Sequence, residues 1–185
     1  MSNQEIGNHE ITALLSNLLE RDCLGSGTWA KEVKYSKFDD SGVGGRVDYM
    51  SFRPERIDHY RTGEREVQRG IFTGYEIKSC LLDFKSGVGL NFICDRNYLV
   101  VPMTLYNELL SKKLIPENVG IISPVPTYKG KQTNKFFDDE IRNPTPLTTN
   151  DEDWRMHEVR RASFMSSDRR HGTAELLYAM LRAKR

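Results

Sequence analysis

The segment Ile71-Phe72-Thr73-Gly74-Tyr75-Glu76-Ile77-Lys78 does most to restrict the fold. It is short and rich in β-branched and aromatic residues, so it reads as a strand. Side chains on a strand alternate between faces. Glu76 and Lys78 therefore share one face, and Tyr75 and Ile77 share the other, where they can pack. Arg46-Val47-Asp48-Tyr49-Met50-Ser51-Phe52 also alternates and reads as a second strand. If the two strands are neighbours, Asp48 comes within a few ångströms of Glu76.

Two carboxylates that close repel each other, and a bound cation relieves the repulsion. Mg²⁺ prefers oxygen ligands, takes only one or two carboxylates from a protein and keeps several waters. The Ile77 carbonyl, between the two charged side chains, is a further oxygen donor. A cation held there can activate a water and offset charge on a phosphoryl oxygen. Lys78 can orient that water or offset charge in the transition state. The plain alternative is that Glu-x-Lys is a solvated ion pair, worth under about 1 kcal/mol.

The remaining chain reads as helices and strands around these two. His9 to Asp22 carries Ile11, Leu14, Leu15, Leu18 and Leu19 at helical spacing, with Asn8 as N-cap. Gly25-Ser26-Gly27 is a turn, and Trp29 to Lys37 is a strand with Val33 and Tyr35 on one face. A Gly- and Asp-rich connection follows at 38–45. Pro54 to Gly70 is charged and weakly periodic and reads as a long hairpin or loop. In a short helix within Cys80 to Phe92, Leu81, Leu82, Phe84 and Leu90 are spaced to face the sheet. Asn97 to Pro102 is a strongly apolar strand. Thr104 to Lys113 is a helix with Leu105, Leu109 and Leu110 spaced for burial, and Val119 to Ile122 is a last core strand. Pro124 to Asp153 reads as an extended loop or hairpin, and Thr173 to Lys184 as a helix with Leu176, Leu177, Met180 and Leu181 at helical spacing. Three strands in a meander, then strands reached by helical crossovers, make a mixed sheet with helices packed on it.

Bulk properties exclude several classes. A chain of 185 residues with 38% hydrophobic and 29% charged residues suits one domain with a real core. No apolar run is long enough for a membrane helix, and the N-terminus lacks the basic and apolar regions of a signal peptide. A cytoplasmic location and no membrane partner are the expectations. Cys23, Cys80 and Cys94 include no CxxC, so buried free thiols are expected. The four histidines are far apart, which argues against zinc. There is no Walker or Rossmann pattern. Net charge is +1, so the whole-molecule field favours no partner. The tail from Trp154 is basic, and two readings stay open: contact with phosphates, or pairing with the acidic residues at 151–153.

The order Gly-Arg-Val-Asp48, then Tyr-Glu76-Ile-Lys78-Ser, then Leu82-Asp83-Phe84-Lys85, then Cys94-Asp95-Arg96-Asn97 to Val101-Pro102 resembles the PD-(D/E)xK, or restriction-endonuclease-like, nuclease superfamily. It is similar in pattern to small bacterial DNA-repair nuclease-like members. The resemblance covers roughly residues 9 to 123, and Val47 stands where the usual Pro precedes the Asp. It implies an α/β restriction-endonuclease-like core, a mixed central sheet flanked by helices, over residues 1–123. Residues 124–185 then form an extended loop and a helical extension packed on that core within a single domain. It implies Mg²⁺-dependent cleavage of DNA, with Mn²⁺ substituting, and leaves a homodimer open. Asp48, Glu76 and the Ile77 carbonyl would hold the metal, and Lys78 would act on the attacking water. Arg46, Ser79 and Lys85 would contact the substrate. In many relatives a first-helix Glu completes the site, which points to Glu10, with Glu32 as an alternative carboxylate. Glu10 also has a simpler explanation, because acidic residues favour the first turn of a helix.

Overall fold

A computed structural model describes residues 6–35, 44–55, 63–128, 134–165 and 171–183. Most of the Gly/Asp connection, the middle of the charged loop and parts of the basic tail lie outside the described residues. Six strands form one sheet: β1 (Thr28–Tyr35), β2 (Gly45–Arg53), β3 (Ile71–Ile77), β4 (Arg96–Val100), β5 (Gly120–Pro126) and β6 (Trp154–Arg160). They lie in sequence order across the sheet. β1, β2 and β3 form the expected antiparallel meander. β3, β4 and β5 are parallel, and β6 runs antiparallel to β5. The fold is α/β, a mixed sheet flanked by helices.

The helices are α1 (Asn8–Leu19), α2 (Glu64–Gln68), α3 (Leu81–Lys85), α4 (Met103–Ser111), α5 (Asn134–Arg142) and α6 (Thr173–Arg182). Parallel strands need crossovers, and α3 and α4 lie in the two that link β3 to β4 and β4 to β5. β4 shows why both faces need cover. Tyr98 and Val100 pack toward Leu15 and Leu19 of α1, while Leu99 and Val101 pack toward Leu105 and Leu109 of α4. A strand buried on both faces reads as a continuous apolar run, as Tyr98-Leu99-Val100-Val101 does. α6 packs on β1 and β2, with Leu176, Ala179 and Met180 against Val33, Val47, Met50 and Phe72.

The Cys94-Asp95-Arg96-Asn97 element stitches the start of β4 to β3. The Asp95 carboxylate accepts the Phe72 N–H at 2.8 Å. The Asn97 amide accepts from Cys94 N–H at 3.1 Å and donates to its carbonyl at 2.8 Å. Satisfying buried backbone groups with short side chains is how a sheet can begin abruptly.

Several expectations need correction. Leu82, Leu110 and Leu181 do not face the sheet; they are 81%, 52% and 81% exposed. Leu90 lies outside the short helix within 80–92, which spans Leu81–Lys85 and, as expected, ends before Gly87 and Gly89, both at positive φ. α1 is capped by Gly7, not Asn8. Residue 123 falls inside β5, and residues beyond it supply α5, β6 and α6. The three cysteines are free, but Cys23 is exposed. In the basic tail, Arg160 donates to the Val119 and Pro116 carbonyls and Arg155 to the Trp154 carbonyl. The Asp151 and Trp154 carbonyls accept from Arg21, on the first helix. Among the described residues, no helix is long and apolar enough to cross a membrane.

Trp154 ties β6 to α1. Its side chain is 2% exposed, packs with Leu14 and Leu18, and donates from Nε1 to Thr148 at 3.0 Å. Trp154→Ala should lower unfolding free energy by about 3–5 kcal/mol, read from urea denaturation. Leu181→Ala, at an exposed site, should change it by less than about 0.5 kcal/mol.

Candidate active site

The β2–β3 ladder runs from Arg53↔Ile71 to Tyr49↔Tyr75. Beyond its end, the Ile77 N–H meets the Asp48 carboxylate, which accepts through Oδ2 at 3.0 Å. The side chain stands in for a ladder carbonyl. The strict alternation of β2 also breaks here. Val47 and Met50, three apart, fall in the same core cluster. On β1, Glu32 opposes this position with φ of 53°.

Glu76 is 2% exposed, and neither of its carboxylate oxygens has a hydrogen-bond partner. Burial, then the neighbouring Asp48 carboxylate, push its pKa up to about 9, against the smaller opposing pull of Lys78 and Arg46. The backbone of Gly89 closes on it from the loop after α3. A Cβ added there would stand 2.5 Å from Glu76 Oε2, and the residue has φ of +82°. Only glycine takes that conformation without strain.

Lys78 is 4% exposed, so Glu76 and Lys78 are not a solvated surface pair. Its Nζ donates to the Val88 carbonyl at 2.7 Å and to Asp83 Oδ1 at 3.3 Å. Arg46 is half-exposed and bridges the rim, with one nitrogen 3.6 Å from Asp48 and another 3.9 Å from Glu32. These residues border a groove of about 600 Å³ between α1, the Asp48 end of β2 and the α3 loop. From α1, Thr12 and Ser16 line it; from β1, Lys31 does. One turn beyond Ser16, Glu20 accepts from Tyr49 at 2.7 Å and Lys31 at 3.3 Å. Burial and that bond to Glu20 push the Tyr49 hydroxyl up to about 12.

The groove thus gathers Asp48, Ile77, Lys78, Arg46 and Glu32, with Glu76 under the Gly89 loop. Glu10 lies elsewhere. It caps its own helix, accepting the Gly7 N–H at 2.9 Å. With Ser79 it lines a separate cavity beside Pro102 and Pro144. Lys85 is exposed at the end of α3 and is not among the groove residues. Gly89, Thr12 and Ser16 had no site role in the sequence reading, and Asp83 entered it only as part of the Leu82-Asp83-Phe84-Lys85 element. For α1 the signal was present: positions 12, 16 and 20 form a polar stripe at i, i+4 beside the leucines.

Asp48, Glu76 and the Ile77 carbonyl are an all-oxygen donor set, which suits a hard divalent cation. An unpartnered buried carboxylate beside a second one is the kind of orphan that such an ion satisfies. Among the described residues, no group of three or more His, Cys, Asp or Glu gathers to hold a metal.

No family model matches the chain, and no curated protein matches it. A solved structure of a protein of unknown function from Silicibacter pomeroyi is similar, at 16% identity and a TM-score of 0.47, covering 93% of this chain and 87% of that one.

Two predictions follow from the Glu76 environment. The folded chain holds its proton more tightly than the unfolded chain does. Its stabilising contribution is therefore full below about 4.5 and lost as pH rises toward about 9. In EDTA, Glu76→Gln should become progressively more stable than the wild type over that interval, and gain nothing further on acidification below it. Urea midpoints at stepped pH test this; a pH-independent difference would contradict it. Gly89→Ala should cost about 1–2 kcal/mol from backbone strain alone and displace the Glu76 carboxylate, which a crystal structure of the variant would reveal.

Proposed function

We propose that the chain is a Mg²⁺-dependent nuclease that hydrolyses phosphodiester bonds in DNA, with a restriction-endonuclease-like fold and a cytoplasmic location. One observation carries this reading: the buried Glu76 carboxylate, with both oxygens unpartnered, stands beside Asp48 at the edge of an open groove.

Asp48, Glu76 and the Ile77 carbonyl would hold the cation. When bound, the ion supplies an acidified water and charge stabilisation on a phosphoryl oxygen. The protein residues do the rest. Asp48 is fixed by the Ile77 N–H, so one of its oxygens is oriented before any ligand arrives. Arg46 and Lys31, on the groove wall, supply positive charge for a phosphate backbone. The Thr12 and Ser16 hydroxyls face the same groove and suit phosphate oxygens. Lys78, buried in the same wall, offsets negative charge or orients the attacking water. To do so its Nζ leaves Asp83 and the Val88 carbonyl.

A second reading is a nucleic-acid-binding module that does not cut. The observation in its favour is that Lys78 Nζ is engaged by Asp83 and Val88 and not by the carboxylates.

The test is cleavage of linear, circular and branched DNA with Mg²⁺, Mn²⁺ or EDTA. The wild type should cut with either metal and not in EDTA. Asp48→Asn, Glu76→Gln and Lys78→Ala should each lose about 10²-fold or more while keeping the wild-type circular dichroism. Equal activity in all proteins would overturn the reading. Absence of cutting with DNA binding retained would favour the second.

A further inference from the structure

The same face of the sheet carries a second cavity at its other end, of about 450 Å³. Its floor follows from strand register. Ser51 of β2 opposes Thr73 of β3, and Thr73 aligns with Arg96 of β4. Three polar side chains thus stand in one row across three strands. The next row outward brings Arg53, opposite Ile71. The next row inward brings Tyr75 and Tyr98, stacked at 5.8 Å with planes 16° apart. Cys23, Met156 and Glu158 form the walls.

The charges in this cavity are unspent. Among the described residues, no hydrogen bond or ion pair joins Arg53 or Arg96 to a carboxylate, although Glu158 lines the same space. Arg96 Nε is buried with no hydrogen-bond partner, and its guanidinium lies 6.0 Å from the Phe164 ring. A buried guanidinium nitrogen without an acceptor is costly to leave so. Guanidinium groups match the planar pairs of oxygens on carboxylates and phosphates. Two guanidiniums and the Thr73 hydroxyl, beside a Ser51 hydroxyl that also bonds Tyr75, offer more donors and charge than one carboxylate can use. They fit a dianion with three terminal oxygens. Glu158 bonds the Tyr98 hydroxyl, and its second oxygen can accept from an O–H or N–H on the body of such a ligand.

We propose that this cavity binds a phosphate monoester, with its phosphate held by Arg53 and Arg96 over Ser51 and Thr73. The volume lies within the range of small-molecule sites and accommodates a sugar phosphate or a mononucleotide. Arg53 is five residues along β2 from Asp48, about 16 Å for an extended strand. The site is therefore distinct from the carboxylate groove and does not depend on the nuclease reading.

The test is calorimetric titration of the full chain, in EDTA and low salt, with ribose 5-phosphate, adenosine 5′-monophosphate and inorganic phosphate. At least one monoester should saturate with a Kd below about 1 mM, near −4 kcal/mol, and bind at least tenfold more tightly than inorganic phosphate. Which monoester binds identifies the source. Arg96→Gln and Arg53→Gln should each weaken that binding at least tenfold, and Asp48→Asn should leave it unchanged. Arg53 is exposed on its strand, so Arg53→Gln keeps the test valid if Arg96→Gln fails to fold. No saturable binding of any probe would overturn the proposal. So would inorganic phosphate matching both monoesters, binding that survives Arg53→Gln, or binding lost in Asp48→Asn. Failure of DNA cleavage has no bearing on these outcomes.

Discussion

The hydrogen bond from the Ile77 N–H to the Asp48 carboxylate, 3.0 Å long, is the constraint on which the site depends. A buried backbone N–H must find an acceptor. In most of β3 the acceptor belongs to a neighbouring strand. At Ile77 the β2 ladder has already stopped, and a side chain takes its place. This lets β2 part from β3 without leaving an orphan donor, and the parting opens the groove. It also settles where Asp48 points. Its second oxygen is left for Arg46, at 3.6 Å, and for whatever occupies the space beside Glu76.

Glu76 follows from that arrangement. Its neighbours on β3 are packed on both faces, so its carboxylate has nowhere to go but under the Gly89 loop. Burying a carboxylate without partners is expensive, and the group responds by taking up a proton. Its upward shift to about 9 is that response. The loop that causes the burial also restrains Lys78, through the Val88 carbonyl. One short segment, with glycines at positive φ at positions 87 and 89, therefore governs both charged residues of the Glu-x-Lys pattern. Any movement of it frees both together.

The core strands were legible because each is a short apolar run or a clean alternation, and the parallel crossovers follow once helices fall between them. Asp48 beside Glu76 was legible for the same reason. β6 and α5 were not. Trp154 to Arg160 alternates too weakly to declare a strand, and its partner β5 lies some thirty residues back. Pairing with β5 and the contact of Trp154 with Leu14 and Leu18 hold it there. The prolines around 124–146 suggested a loop and obscured the pair Phe137 and Ile141 on α5. Glu10 was misleading for a geometric reason. It sits on the helical line of Leu14 and Leu18, which faces β6, whereas Thr12 and Ser16 lie on the line that faces β2. A helix rotates such lines apart by 100° per residue, and the sequence alone does not say which line meets which strand. The break in alternation at Asp48 was hidden too, since it needs Glu32 at positive φ on the opposite strand.

Charge is sorted along the sheet. Asp48 borders the groove at one end of the α1 face, with Glu76 on the opposite face of β3 under the Gly89 loop, and Arg53 and Arg96 stand at the other end of the α1 face. Between them runs a row of tyrosines, Tyr49, Tyr75 and Tyr98, aligned by register across three strands. Burial is the main cause that pushes the Tyr49 and Tyr75 hydroxyls up to about 12, so both stay neutral across the ordinary pH range. A neutral aromatic row keeps the two ends from neutralising each other by direct pairing. Had the carboxylates reached the arginines, Arg96 Nε would have its acceptor. The unspent charge at each end is thus one consequence of strand register, and register on a buried face admits no one-residue slip.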